Sequence, residues 1–222
     1  MSAASGADSP RIFLATPLHN DRVHSAYMNG VLQLVSELRG RVIVAKYTSQ
    51  NLFMSRDILT AHFLRSNATH LLWVDSDMGW TAEDASALLA TGKDFVCGAY
   101  ARKHEARELA PELFGPREGD LIEVRHAAAG FLLLTRSCVE RMTAAHPELD
   151  YDTPRGPACA LWSPLFGKIP YGEDVSFGLR WRKLGGKIWM HSRVVLTHFG
   201  DYAYLPAQPP LVPDAQADNP SE

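Results

Sequence analysis

Four short segments carry side chains whose types and spacing could do chemistry. The first is Leu71-Leu72-Trp73-Val74-Asp75-Ser76-Asp77, an apolar run that breaks into two carboxylates with Ser76 between them. Two carboxylates this close, just past a strand end, can converge on one hard cation. Left alone they repel and raise each other's pKa. A divalent ion removes that conflict and can bridge a diphosphate. A solvated acidic turn is the plainer account of the same residues. The second segment is Gly172-Glu173-Asp174, opening a helix. An acid there ordinarily caps. Where two are adjacent, one can cap while the other acts as a general base toward a hydroxyl. The third is Thr197-His198-Phe199-Gly200, after a strand. His198 is either structural or the nitrogen donor that completes an Asp/Asp/His site suited to manganese or magnesium. The fourth is basic: Arg56 within Asn51–Asp57, and Arg102, Lys103 and Arg107 after a strand. Any of these can neutralise phosphate. The alternatives are solvated charge and, for Arg56, an ion pair with Asp57 or a neighbour.

These segments need a scaffold that brings strand ends together. Apolar runs at 12–15, 41–47, 71–74 and 95–100 read as buried strands. Between them Tyr27, Val31, Leu34, Val35 and Leu38 recur at helical spacing up to Gly40, and Met54, Ile58 and Ala61 mark a second helix. Thr81 with Asp84 predicts a capping box, and Gly92 closes that helix. Strands alternating with helices predict an α/β fold whose central sheet is mostly parallel and covered on both faces. The second half is less regular and predicts a smaller mixed part. Strands are expected at 121–124 and 131–134, a short helix at 137–145, a long Pro/Gly-rich loop at 150–172, a helix at 174–184 and a last strand at 187–197. Ligands of open α/β sheets bind at the carboxyl ends of the strands, where Asp75 and Asp77 fall.

The 222 residues are 46% hydrophobic, enough for one sizeable core, and the net charge is −3. That balance argues against a strongly basic nucleic-acid binder, and the apolar content argues against disorder. No apolar run is long enough to span a bilayer, so no stable membrane insertion is expected. Residues 1–10 read as a flexible leader without a signal-peptide core, 11–203 as a single catalytic domain, and 204–222, with five prolines, as a flexible tail. The expected compartment is the cytoplasm. Cys97, Cys138 and Cys159 are too few for a disulfide framework or zinc site and read as reduced core residues. Dinucleotide-binding, P-loop and nucleophile-elbow signatures are missing.

The order of the motifs resembles the GT-A fold glycosyltransferases, particularly small proteins of glycosyltransferase family 2 type. The likeness runs from about Arg11 to Gly200. It rests on Ala15-Thr16-Pro17, Asn51–Asp57, the D-x-D, the segment 98–103, Ala127–Arg136, and the stretch from Gly172 to Gly200. The resemblance implies a nucleotide-sugar donor and Mn2+ or Mg2+. Asp75 and Asp77 would hold the metal and the donor's ribose and diphosphate, with Ser76 between them and His198 as a third ligand. Thr16 and Pro17 would line the nucleotide pocket, and Asn51 and Arg56 would face the nucleotide or its phosphates. Lys103 would lie near the diphosphate, and Gly130 would let the backbone approach the sugar. Asp174, or its neighbour Glu173, would be the base of an inverting transfer of one sugar to an acceptor hydroxyl. Trp162 and Tyr171 could stack on an acceptor sugar, with burial in the core as the equal alternative. The Q-x-x-R-W motif of processive synthases is missing, so transfer of a single sugar is expected. Competing readings are a nucleotidyltransferase of nucleotide-sugar metabolism and a non-catalytic nucleotide- or carbohydrate-binding module. A glycan is the default acceptor, and a hydroxymethylated DNA base is a less favoured one.

Overall fold

The computed structural model describes residues 9–19, 21–103, 108–168, 170–200 and 203–206. Most of the expected leader and tail, and Arg107, lie outside the described residues. The first half follows the sequence pattern closely. Strand β1 (Ile12–Leu18) leads to helix α1 (Ser25–Leu38), β2 (Val42–Thr48), α2 (Leu52–Arg65) and β3 (His70–Val74). The two-residue β4 (Met78–Gly79), α3 (Ala82–Ala90) and β5 (Phe95–Ala99) follow. The Thr81/Asp84 capping box forms with both of its reciprocal hydrogen bonds. Gly40 (φ 78°) and Gly92 (φ 61°) take the left-handed turns that close α1 and α3.

The second half contains β6 (Leu113–Glu118), β7 (Leu121–Val124), β8 (Phe131–Thr135), α4 (Arg136–Ala145), β9 (Asp150–Thr153) and β10 (Gly156–Cys159). It ends with α5 (Glu173–Lys183), β11 (Trp189–Val195), β12 (Thr197–Phe199) and β13 (Ala203–Tyr204). One eight-stranded sheet has the order β2-β1-β3-β8-β5-β11-β7-β6.

That sheet is mixed, which corrects the expectation of a mostly parallel one. Three pairings are parallel (β1–β2, β1–β3, β5–β11) and four are antiparallel (β3–β8, β5–β8, β7–β11, β6–β7). The chain leaves β5 for a hairpin at the far edge, then returns as β8, running backwards between β3 and β5. An apolar run buried on both faces, such as Phe131–Leu134, reads the same in either direction. The expected long loop at 150–172 is also corrected in part. Its first half is the β9–β10 hairpin, and Leu161 and Trp162 behind it are fully buried. The edge strand β6 is exposed along its length and contains Pro116, so it carries no apolar signal.

Alternation along β1 divides the core into two layers. Ile12 and Leu14 face α1 and α3 with Leu34, Trp80 and Leu88. Phe13 and Ala15 face the other side with Phe63, Trp73, Trp162, Phe177 and Trp181. All three cysteines are buried and free. Among the described residues no helix is long and apolar enough to cross a membrane.

Candidate functional site

The site forms where β3 ends. A small second sheet, β13-β12-β4, folds over that end. Its register places His198 opposite Met78, and the Phe199 N–H donates to the Asp77 carbonyl at 2.8 Å. The backbone thereby brings His198 to Asp77 across 121 positions of sequence. Lys103, just past β5, makes an ion pair with Asp77 Oδ2. His198 Nε2 lies 3.4 Å from Asp77 Oδ1. Burial alone would raise the Asp77 carboxyl, but His198 and Lys103 outweigh it and hold Asp77 below the usual carboxylate range.

The histidine's other nitrogen defines its hydrogen. His198 Nδ1 lies 3.1 Å from the Ala101 carbonyl, which can only accept, so Nδ1 carries the hydrogen. Nε2 then faces a buried carboxylate oxygen that has no hydrogen-bond partner. At 3.4 Å the two are too far apart for a good hydrogen bond. Two donors each about 2.1 Å from one small cation stand about 3.0–3.4 Å apart. The spacing is therefore compatible with two ligands of one small cation, and equally with the ion pair through which His198 lowers the Asp77 carboxyl. Among the described residues no group of three or more His, Cys, Asp or Glu side chains could hold a metal ion.

Asp75 is turned differently. Its N–H donates to the Gly130 carbonyl at 3.0 Å, and Oδ1 accepts from Arg56 Nη2 at 2.9 Å. Burial pushes its carboxyl above the usual range, Arg56 pulls it back and Asp77 adds to the rise. Gly130 is required by space. A Cβ there would sit 2.6 Å from the Tyr100 hydroxyl and 3.4 Å from Asp75 Oδ2. The Gly130 N–H donates to that hydroxyl at 2.7 Å.

Arg56 departs from its expected role. It is 1% exposed, its guanidinium is 5.1 Å from the Trp73 ring and 5.1 Å from the Trp162 ring, and Nε is 3.8 Å from Glu173 Oε1. It is a buried tie between the D-x-D and the start of α5 rather than a residue facing a nucleotide. Its partner is Asp75, not the adjacent Asp57. The same contact separates the two acids of α5. Glu173 turns back to Arg56, whereas Asp174 lines a cleft of about 420 Å³ with Tyr100, Lys103, His126 and His198. Asp174 Oδ1 accepts from the Val175 N–H at 2.7 Å.

The structure places the remaining expected ligand-facing residues as follows, and for Trp162 it favours the core alternative. Trp162 is fully buried, stacks on Phe177 with ring centroids 4.0 Å apart, and donates from Nε1 to Thr60 Oγ1 at 3.0 Å. It is a core ring and presents no face to an acceptor. Thr16 and Pro17 are buried in β1, and the Thr16 hydroxyl is hydrogen-bonded to that of Tyr27 at 2.7 Å. Their contribution is packing. Asn51 is the N-cap of α2 without a side-chain cap bond, and the Ser76 carbonyl accepts from the His24 N–H at 2.7 Å, fixing the start of α1. Tyr171 is 40% exposed and lines a different groove from the Asp174 cleft.

Two cleft residues escaped the sequence reading, Tyr100 and His126. Tyr100 directly follows a buried strand, and His126 stands four residues before the space-limited Gly130. A polar residue beside such a glycine is the signal that could have found His126. Its Nε2 is buried without a hydrogen-bond partner, and burial holds the imidazole below its usual pKa against the pull of Glu112 and Asp174.

No family model matches the chain, and no curated protein matches it. Solved structures match this fold, A197 from STIV among them. A197 matches with a TM-score of 0.57 over 88% of this chain and 90% of that chain, at 18% identity. At that identity the likeness is one of fold alone.

Proposed function

We propose that this protein is a nucleotide-sugar-dependent glycosyltransferase of GT-A type that moves one sugar to an acceptor hydroxyl. The observation that carries the reading is that Lys103 and His198, both paired with Asp77 at the end of β3, line one cleft together with Asp174. Glycosyl transfer needs charge neutralised on a departing diphosphate and a base for the incoming hydroxyl. The two needs map onto the two sides of this cleft. Asp77 and His198 would hold Mn2+ or Mg2+, with Asp75 beside them. When bound, that ion would neutralise the leaving nucleoside diphosphate. Lys103 adds a mobile positive charge on the same side.

Asp174 is the base in this reading. Its Oδ1 is spent on the Val175 N–H, so Oδ2 takes the acceptor proton as the hydroxyl oxygen attacks the anomeric carbon. Glu173 positions α5 through Arg56 and stays out of the chemistry. Gly130, whose missing Cβ admits the Tyr100 hydroxyl, keeps this side of the site close-packed beside Asp75.

The test is release of nucleoside diphosphate from a panel of nucleotide sugars with manganese, magnesium or EDTA. EDTA-sensitive release from one donor is expected. Asp174→Asn should lower turnover about 10²- to 10⁴-fold while donor binding, measured by calorimetry, is unchanged. Absence of metal-dependent binding of every donor would overturn the reading, and near-normal turnover of Asp174→Asn would return Asp174 to a helix cap.

A further inference from the structure

Beyond the cleft, α5 borders a second groove that shares none of the cleft's lining. It has a volume of about 440 Å³ and is formed by Leu165, Phe166, Tyr171, Leu179, Arg182 and Lys183. Phe166 is 82% exposed, more than any other large hydrophobic side chain among the described residues. Its loop is held in shape. The Tyr171 N–H donates to the Leu165 carbonyl at 2.9 Å, Phe166 bridges to Pro170, and the Leu165 N–H donates to Ser176 Oγ of α5 at 2.8 Å. These contacts hold the base of the segment against α5 and leave the Phe166 ring projecting to solvent.

The charge around Phe166 runs against that of the whole chain. The protein carries a net −3, yet Lys168 beside Phe166 and Lys183 on the groove wall are both exposed. Arg182 directs its guanidinium to Glu123 at 3.3 Å and to the Phe114 ring. The outward cations are therefore the two lysines. An exposed aromatic flanked by lysines on flexible stems suits the interface of an anionic bilayer, where the ring enters the headgroup layer and the ammonium groups meet phosphates.

We propose that the Phe166 loop and the adjoining groove dock this protein reversibly on anionic phospholipid surfaces. The docking does not depend on the transferase reading. Because the loop runs straight into Gly172-Glu173-Asp174, docking would also set the cleft beside the membrane.

The experiment is flotation of the full chain with vesicles of phosphatidylcholine alone, or with about 30 mol% phosphatidylglycerol, at low and high salt. Binding is expected on anionic vesicles only and should weaken with salt. Phe166→Ser and the double change Lys168→Glu/Lys183→Glu should each lower the bound fraction at least about fivefold, with circular dichroism and Tm unchanged. Phe166→Trp should bind, with a blue shift of its emission on anionic vesicles. No binding at low salt, or binding indifferent to both the Phe166→Ser and the double-lysine variants, would overturn the proposal. So would a sedimentation shift showing that Phe166 instead joins two copies of the chain.

Discussion

Asp77 and Asp57 are both partly or wholly enclosed carboxylates, and the structure moves them in opposite directions. Asp77 at the cleft has Lys103 and His198 against it and is held below the usual range. Asp57, 1% exposed at the back of α2, accepts from the Trp162 N–H at 3.0 Å and faces the Tyr151 hydroxyl at 3.5 Å. Burial pushes its carboxyl up to about 7, against those hydrogen bonds and the distant Arg180. Arg180 spends its own donors on the Leu161 and Ser163 carbonyls at 2.9 and 2.8 Å. The two regions show that enclosure alone does not set a carboxylate's charge. At Asp77 two partners in contact outweigh burial, and at Asp57 the nearest cation is committed elsewhere and burial wins. Asp75 lies between them, raised although Arg56 touches it. The cleft keeps charge where a ligand can use it. The 161–163 segment is held from both sides by groups that need no net charge there.

The largest effect that would break this contrast is a pH dependence assigned to Asp57. Its folded pKa is raised from 3.8 to about 7, so between those values the folded state holds a proton that the unfolded state has lost. The contribution is present in full below pH 3.8, falls as pH rises through the window, and is constant above about 7. With about 1.4 kcal/mol per unit, the span is at most about 4 kcal/mol. Asp57→Asn keeps an acceptor for the Trp162 N–H and removes the titration. Urea unfolding at several pH values should show wild type losing stability relative to Asp57→Asn between pH 4 and 7. A constant difference would mean that Asp57 is ionised in the folded protein, as Asp77 is.

Asp77→Ala probes the other region. It should weaken metal-dependent donor binding about 100-fold or more, equivalent to about 2.7 kcal/mol. The half-exposed Lys103–Asp77 pair contributes little to folding, so Tm should move by only a few degrees. Calorimetric titration with and without EDTA, beside a thermal melt, separates the two effects. A large loss of Tm with metal dependence intact would make Asp77 a structural carboxylate and erase the contrast.

How much of this was legible in the sequence differs between the regions for a physical reason. Several residues at the cleft announce themselves locally, Tyr100 and His126 excepted. Asp75-Ser76-Asp77 ends an apolar run, Glu173-Asp174 opens a helix with basic residues at its end, and His198 follows a strand. The Thr81/Asp84 cap and the closing glycines are equally local and formed as expected. What could not be read depends on long-range partners. Nothing near Phe131–Leu134 says that β8 runs backwards between β3 and β5. Nothing near Arg56 says that its charge faces Asp75 between two indoles, and a tryptophan in a Pro/Gly-rich stretch looks the same whether it stacks on a ligand or on Phe177.

Trp162 links the two regions and gives the smallest expected effect. Its backbone N–H is held by Asp57, its Nε1–H donates to Thr60 Oγ1, and its ring lies under Arg56. Trp162→Phe keeps the backbone bond and an aromatic face toward Phe177. It removes the Nε1–H bond and weakens the ring's hold on the guanidinium, since tryptophan is the best cation–π partner. With a small loss of packing volume, the cost should be about 1–2 kcal/mol in a urea melt. Thr60→Val removes only the hydroxyl that receives the indole N–H and that donates to the Arg56 carbonyl at 2.7 Å, so it should cost about 1 kcal/mol. The double variant sharpens the point. If the indole acts mainly through Thr60, the two losses overlap and the double change costs less than their sum. If it acts mainly by covering Arg56, the losses add, and Trp162→Phe alone should also weaken donor binding through Asp75 and Glu173. Additive losses with donor binding untouched would show that the Arg56 tie does not need its second indole, and that the buried segment and the cleft are held independently.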